Sequence, residues 1–322
     1  MLPPIASAPA TPFLEFERLH AWLRELEHDA RVHFPPTLRD ARTLDTLLEN
    51  LWAAAPDLGR GSTLETQFRA VLNPLFLQSP TLRRIFEKPL GYAGDFLMME
   101  ALYQDSPAGE TPLGRWIDEW ALALPGFAAV RWRRHTMAHL LRTEHARGAR
   151  RVFSVACGSA RELADTARLG FDVLALLDQD ATAIQAAADG ITRASDPACP
   201  PQVQLWPKAI RSLFRPDPAP LSAPYDVIYA MGLYDYLEEA TARRLTERLW
   251  QGVKPGGLLV IGNFNTHQPM RHFAAISLDW HLVYRDLDDL RSLGAGLEGL
   301  RRLQVITDPN GCLHLLLLRR QP

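Results

Sequence analysis

With 322 residues, 47% of them apolar and 22% charged, the chain has the balance of a soluble globular protein and enough length to bury a core. Its 35 basic and 37 acidic side chains leave a formal charge of −2, without the basic excess that a nucleic-acid binder concentrates on one face. Three widely spaced cysteines, Cys157, Cys199 and Cys312, form no C-x-x-C pair and no Cys/His cluster, which speaks against a disulfide framework or a metal site and for a reducing compartment.

The Pro/Ala-rich start, Met1 to Phe13, lacks the basic residues and apolar stretch of a signal peptide. No apolar run approaches the length that crosses a bilayer. The expectation is a cytoplasmic protein without membrane insertion. From Phe13 onward, apolar side chains recur every three or four residues, as an amphipathic helix requires. Further helices are expected over Leu44–Ala55, Leu64–Leu77, Phe96–Tyr103, Leu113–Leu124 and Val130–Arg147. The arginines at 131, 133 and 134, and those at 301 and 302, read as solvated helix faces. Residues 1–147 thus form a helical region, expected to cap the substrate site, and 148–322 a second domain.

After Gly148 the period changes. Short apolar runs at Val152–Ala156, Val173–Leu177, Val203–Trp206, Val227–Ala230 and Leu258–Ile261 alternate with helical segments, the pattern of a parallel sheet covered on both faces. The C-terminus breaks it: a strand from Leu303, a tight turn at Asp308-Pro-Asn-Gly311 and a strand from Cys312 to Arg319 can only be an antiparallel hairpin. An α/β fold with a mostly parallel, Rossmann-like sheet closed by a C-terminal hairpin, here preceded by a helical region, resembles class I methyltransferases.

Open parallel sheets bind ligands beyond the carboxyl ends of their strands. At the first such end, Gly158 follows the strand in Val152-Phe-Ser-Val-Ala-Cys-Gly-Ser-Ala-Arg-Glu-Leu163. Asp178, twenty residues on, ends the next strand, where it would accept hydrogen bonds from both ribose hydroxyls of an adenosine. That much suits NAD or S-adenosylmethionine (SAM). A dinucleotide needs G-x-G-x-x-G for its pyrophosphate, and Ala160 and Leu163 occupy the second and third glycine positions. SAM carries no phosphate and fits. Ala156, Gly158, Asp178 and Gln179 are therefore candidate cofactor residues, with Met231 and Gly232 after the fourth strand. Lys254-Pro-Gly-Gly-Leu-Leu-Val-Ile261, read as a turn leading into a strand, strengthens the resemblance to class I methyltransferases. Pro207-Lys-Ala-Ile210 offers no acid to the adenine amino group, which leaves the backbone at Ala209 and Ile210.

Three further segments, Glu87-Lys-Pro-Leu-Gly-Tyr-Ala-Gly-Asp95, Gly232-Leu-Tyr-Asp-Tyr-Leu237 and Asp279-Trp-His-Leu-Val-Tyr-Arg285, resemble a bacterial methyltransferase family that includes synthases of 3-hydroxypalmitic acid methyl ester, a quorum-sensing signal. The likeness runs from about residue 80 to the end. It implies a small-molecule acceptor, with carboxylate O-methylation ahead of amine or hydroxyl methylation. A carboxylate acceptor would want a cation to orient it, for which Arg285 is the candidate. An amine or hydroxyl would want a base, for which His267 is the candidate. Tyr234, Tyr236 and Tyr284 are candidates to border the methyl path or close an apolar pocket, and Trp280 is a further candidate at the site. Tyr92 and Asp95 are expected in a lid over bound cofactor, Asp95 also capping the helix that starts at Phe96. A non-catalytic SAM sensor is the rival from another class, and a homodimer remains open.

Overall fold

A computed structural model describes residues 11–32, 36–55 and 61–322, so the Pro/Ala-rich start lies largely outside the described residues. The chain divides into two compact units: residues up to Phe127 together with Met270–His281, and Ala128–Pro269 together with Leu282–Pro322. No helix among the described residues is long and apolar enough to cross a membrane.

The first unit is helical: α1 (Pro12–Val32), α2 (Leu38–Ala54), α3 (Thr63–Val71), α4 (Asn73–Phe76), α5 (Pro80–Glu87), α6 (Phe96–Gln104) and α7 (Pro112–Ala123), with α12 (Arg271–Ile276) returning later. The starts follow capping chemistry. Ser62, Ser79, Asp95 and Thr111 each accept a backbone N–H two or three residues into their helix, which satisfies an otherwise orphaned donor. Helix α5 was not anticipated from periodicity, although Ser79 followed by Pro80 is a helix-start signal. The expected Leu64–Leu77 helix is interrupted at Leu72. Aromatic rings form this unit's core: Phe68 stacks on Phe76 at 5.8 Å, and Phe273 meets Phe76 and Trp120 edge-on at 5.0 and 5.4 Å. Phe273 explains why residues 270–281 belong here despite their place in the chain.

The second unit begins within α8 (Pro125–Ala146), which the sequence boundary at 147 had grouped with the other helices. Among the described residues its sheet has seven strands, β1 (Arg151–Val155), β2 (Val173–Asp178), β3 (Gln202–Pro207), β4 (Tyr225–Ala230), β5 (Val253–Phe264), β6 (Leu300–Thr307) and β7 (Leu313–Arg320), ordered β3-β2-β1-β4-β5-β7-β6. Strands β1 to β5 run parallel to one another, and β7 runs antiparallel to both β5 and β6. The remaining helices are α9 (Arg161–Ala164), α10 (Ala181–Ala194), α11 (Glu239–Gln251) and α13 (Leu287–Ser292). Strand β2 is buried throughout, as a continuous Val-Leu-Ala-Leu-Leu run requires. The Glu144 carboxylate of α8 takes both Nη atoms of Arg319 on β7, each at 2.6 Å, which fixes that helix to the sheet.

One expectation is corrected. Pro255-Gly256-Gly257 is not a turn before a strand but part of β5, at a register shift against β4 between Tyr225 and Val227. A Cβ on Gly257 would lie 2.8 Å from Val253 Cγ1 and 2.9 Å from the carbonyls of Asp226 and Lys254, so only glycine lets the strand resume its pairing there. The Asp308–Gly311 turn forms as expected: the Asp308 carboxylate accepts the N–H groups of Asn310 and Leu313, and Gly311 has φ +71°.

Candidate functional site

The parallel registers bring the carboxyl ends of β1, β2, β3 and β4 to one edge: Val155 pairs with Leu177, Asp178 with Pro207, and Ser154 with Tyr229. After β1 the chain alternates through left-handed conformations at Ala156 (φ 53°), Gly158 (φ 51°) and Ala160 (φ 45°). Two alanines in a region that favours glycine mark a loop whose shape is held from outside. Part of that hold is Asp178, whose Oδ2 accepts the Gly158 N–H at 2.9 Å while Oδ1 accepts the Asp180 N–H at 3.0 Å. Burial raises the Asp178 carboxyl above its usual range, and the Asp180 and Gly158 amides offset this only in part. Such a carboxylate is stabilised by further hydrogen-bond donors, which the two hydroxyls of a ribose would be.

The loop is unsuited to a pyrophosphate. Leu163, where the third glycine of the dinucleotide fingerprint would stand, is fully buried. Cys157 is no nucleophile: burial and the Asp178 and Glu162 carboxyls push its thiol well up, so it stays neutral. Among the described residues no cluster of His, Cys, Asp or Glu could hold a metal ion.

Gln179 lies exposed beside Asp178, Ala209 caps the 3₁₀ turn Ile210–Phe214, and the Ile210 side chain packs against the sheet core. The Met231 carbonyl accepts a hydrogen bond from Arg133 Nη1 at 3.1 Å. A Cβ on Gly262 would collide with that same carbonyl, so β5 must be glycine where it passes the end of β4.

Several candidates occupy other places than the sequence suggested. Arg285 is 2% exposed and already engaged: Nη1 donates to the Tyr234 carbonyl (2.8 Å) and Asn263 Oδ1 (2.7 Å), Nη2 to the Leu237 carbonyl (2.6 Å), and Nε to Glu239 (3.4 Å). A guanidinium so committed locks the chain after β4 to the chain after β5 and has no bidentate face for an acceptor carboxylate. Tyr234 is fully buried with its hydroxyl 3.0 Å from Thr246. His267 is exposed after the end of β5, and Tyr284 is half-buried. Trp280 belongs to the helical unit, its ring 6.5 Å from Phe127. Tyr92 and Asp95 are also in that unit. The Asp95 carboxylate, completely buried, caps α6 through the Met98 N–H and takes Nε and Nη2 of Arg84 at 3.0 and 2.8 Å.

Arg133, read from the sequence as part of a solvated helix face, is instead buried within a polar group of the sheet unit. Glu162 of α9 accepts the Tyr229 hydroxyl at 2.7 Å, and burial pushes its carboxyl up. Asp235 accepts the Phe264 N–H at 2.7 Å, and burial raises it to about 6 against the pull of Arg133 and Arg285. Arg133, 7% exposed, faces both acids. A signal for it existed: Val130, Arg133, Met137 and Leu141 fall on one stripe of α8, all buried.

The mostly parallel sheet with its antiparallel β7 defines the Rossmann-like fold of class I methyltransferases. No family model and no curated protein matches the chain. Among solved structures, a possible exported protein from Bordetella parapertussis is similar over 98% of this chain and 100% of its own, with 20% identity and a TM-score of 0.56. Magnesium protoporphyrin IX methyltransferase from Synechocystis PCC 6803, with bound S-adenosylhomocysteine, is similar over 61% of this chain and 86% of its own (12% identity, TM-score 0.47). The S-adenosylmethionine-dependent methyltransferase SibL is similar over 96% of each chain (16% identity, TM-score 0.46). At 20% identity, the first of these is a likeness of fold alone.

Proposed function

We propose that this chain is a SAM-dependent methyltransferase acting on a small molecule, with a carboxylate oxygen as the leading acceptor atom. One observation carries the cofactor reading: the buried Asp178 carboxylate braces the Gly158 loop at the edge where the strands end, in a loop that lacks the glycines a pyrophosphate needs. Asp178 accepts the ribose hydroxyls, the backbone at Ala209 and Ile210 borders the adenine, and Met231 and Gly232 line the path of the amino-acid end. Bound there, SAM would supply a methyl group activated by its sulfonium.

Transfer is an in-line displacement in which the acceptor's lone pair takes the methyl carbon as the carbon–sulfur bond breaks. The protein's part is alignment and exclusion of water. A carboxylate arrives ionised at neutral pH and needs no base. The acceptor reading is supported by the three segments that resemble synthases of 3-hydroxypalmitic acid methyl ester, which makes 3-hydroxy fatty acids the first acceptors to test. Arg285, with its donors taken, is left out of acceptor binding. Methylation of an amine or hydroxyl is the second reading, favoured by an exposed imidazole at His267 just after β5.

Calorimetric titration with S-adenosylhomocysteine, followed by transfer of labelled methyl to fatty acids, amino acids and amines, tests this. Label released by mild base identifies an ester and upholds the leading reading. Label stable to base, on nitrogen or an ether oxygen, moves the role of proton acceptor to His267. Binding without transfer to any acceptor would indicate a sensor. No binding would overturn the cofactor reading itself.

A further inference from the structure

The sheet unit carries a cavity of about 360 Å³ that the methyl transfer does not use. It lies between the 3₁₀ turn Ile210–Phe214, which follows β3, and the last two turns of α11. Helix α11 runs from the end of β4 back to the start of β5, so those turns lie towards the edge opposite Gly158 and Asp178. Arg244, Arg248 and Gln251 line the cavity at helical spacing, while Leu245 and Leu249 are buried in the core. Arg215, just past the 3₁₀ turn, brings a third guanidinium, and Glu247 is the one lining carboxylate.

The three arginines are not alike. Arg248 is accounted for by the fold: it stands in the last turn of α11, where a cation meets the negative end of the helix dipole. Its Nε and Nη2 donate to the carbonyls of Leu213 and Arg215 at 2.9 and 3.1 Å, and its Nη1 donates to Gln251 Oε1 at 2.7 Å. These bonds hold the turn against the helix and set the shape of the cavity. Arg244 has its Cζ 4.6 Å from the centre of the Phe214 ring, a contact that uses the face of the guanidinium and leaves its N–H edge for an acceptor. Among the described residues, the exposed side chains of Arg244 and Arg215 make no hydrogen bond or ion pair. Like charges four residues apart on a helix repel, and Arg215 adds to that repulsion.

Three guanidiniums against Glu247 leave the cavity with a net charge of +2. The matching ligand is a dianion with acceptors for two free guanidinium forks. A phosphate monoester supplies both, with a charge of about −1.5 to −2 at neutral pH and three acceptor oxygens. A carboxylate or a sulfate ester carries only one charge. The Phe214 ring and Pro216 beside the arginines give an apolar body on the phosphate a surface to cover, in a volume typical of small-molecule sites.

We propose that this cavity is a second binding site, for a small phosphate monoester with an apolar or aromatic body. Arg244 and Arg215 hold the phosphate, and Arg248 keeps the cavity in shape. The site is separate from the proposed cofactor edge and does not depend on the SAM reading.

Phenyl phosphate is the probe, compared with inorganic phosphate and phenyl sulfate by calorimetry on the full chain at fixed ionic strength. The expected result is saturable binding of one phenyl phosphate, at least tenfold tighter than either comparison. Arg244→Gln and Arg215→Gln should each weaken it roughly tenfold, the worth of a hydrogen bond to a charged group. Arg301→Gln, at an exposed arginine on β6, should change it less than twofold. Both cavity arginines are exposed, so thermal melts of their variants should match the native protein. Affinity for S-adenosylhomocysteine should stay within twofold of native in Arg244→Gln. Inorganic phosphate binding as tightly as phenyl phosphate would mean an adventitious ion only and overturn the proposal. Equal binding of phenyl sulfate, no binding of phenyl phosphate, or an equal loss in Arg301→Gln would overturn it too. A native protein that binds phenyl phosphate but not S-adenosylhomocysteine would overturn the cofactor reading and uphold this site.

Discussion

At the scale of single residues, burial and prior commitments decide what a charged side chain can do. Arg285 illustrates it: a position that looks like a carboxylate clamp in the sequence has three of its partners supplied by the protein, at Tyr234, Asn263 and Leu237. Arg285→Ala would take the Arg285 donor from Asn263 Oδ1 and the Leu237 carbonyl, at roughly 1–3 kcal/mol each, while the Tyr234 carbonyl keeps the Leu237 N–H. Denaturant titration should therefore show a loss of about 3 kcal/mol or more, with little recovery in Arg285→Lys, whose single ammonium cannot span the same acceptors. A variant of native stability that had lost only acceptor binding would restore the clamp role. Asp178 is the opposite case, a buried carboxylate braced by two amides. Asp178→Ala is expected to weaken S-adenosylhomocysteine binding by roughly 10- to 100-fold, the worth of one or two hydrogen bonds to a charged group. Calorimetry checks it directly, and unchanged affinity would remove Asp178 from the site.

At the scale of elements, the strands were legible because a sheet covered on both faces needs continuous apolar runs, and nothing else in this chain has them. The hairpin was legible because Asp308-Pro-Asn-Gly311 has side chains that build a turn locally. What escaped were features set by a neighbouring element. Helix α5 is too short for its period to stand out, and it is its Ser79 cap that marks it. The Pro255-Gly256-Gly257 segment looks like a turn by composition, yet pairing with β4 and β7 carries it into the sheet. The two glycines there should respond differently to substitution. Gly257→Ala meets a side chain and two carbonyls within 2.9 Å, and overpacking of that kind costs about 1–3 kcal/mol. Gly256 has φ +74° and open space, so Gly256→Ala should cost only the left-handed penalty of about 1–2 kcal/mol. Thermal melts of both variants test the ordering.

At the scale of the whole molecule, the acids divide by the sign of their response to pH. Burial tends to raise Asp279, but Lys88 and Arg69 outweigh it and bring its carboxyl to about 2. A depressed acid contributes stability above its unfolded value of 3.8, and that contribution is lost as pH falls towards 2. Asp235 behaves in the opposite sense. Raised to about 6 from 3.8, it stabilises the fold most when protonated, and that contribution is lost as pH climbs through this interval. Denaturant titration across pH should show Asp235→Asn with a smaller decline between pH 4 and 6, since asparagine keeps an acceptor for the Phe264 N–H. Asp279→Asn should instead lose stability at neutral pH and change little near pH 2. An unchanged decline in Asp235→Asn would mean that another buried acid, Glu162 foremost, sets it.

The sequence by itself determined the class of fold, the order of its strands along the chain and the sheet edge to which the proposed cofactor site belongs. These follow from local periodicity, turn chemistry and the general behaviour of parallel sheets, all of which are written in consecutive residues. It also placed Gly158 and Asp178 together, because both stand at the ends of adjacent strands. Only the tertiary structure decided which ionisable groups are free to act. Arg133, Glu162, Tyr229 and Asp235 come from α8, α9, β4 and the loop after β4, and their burial together depends on how those elements pack. Arg285 is withdrawn from chemistry by carbonyls about fifty residues away in the chain. Charge is a property of the residue, but its availability is set by solvent and partners, and these exist only once the chain has folded.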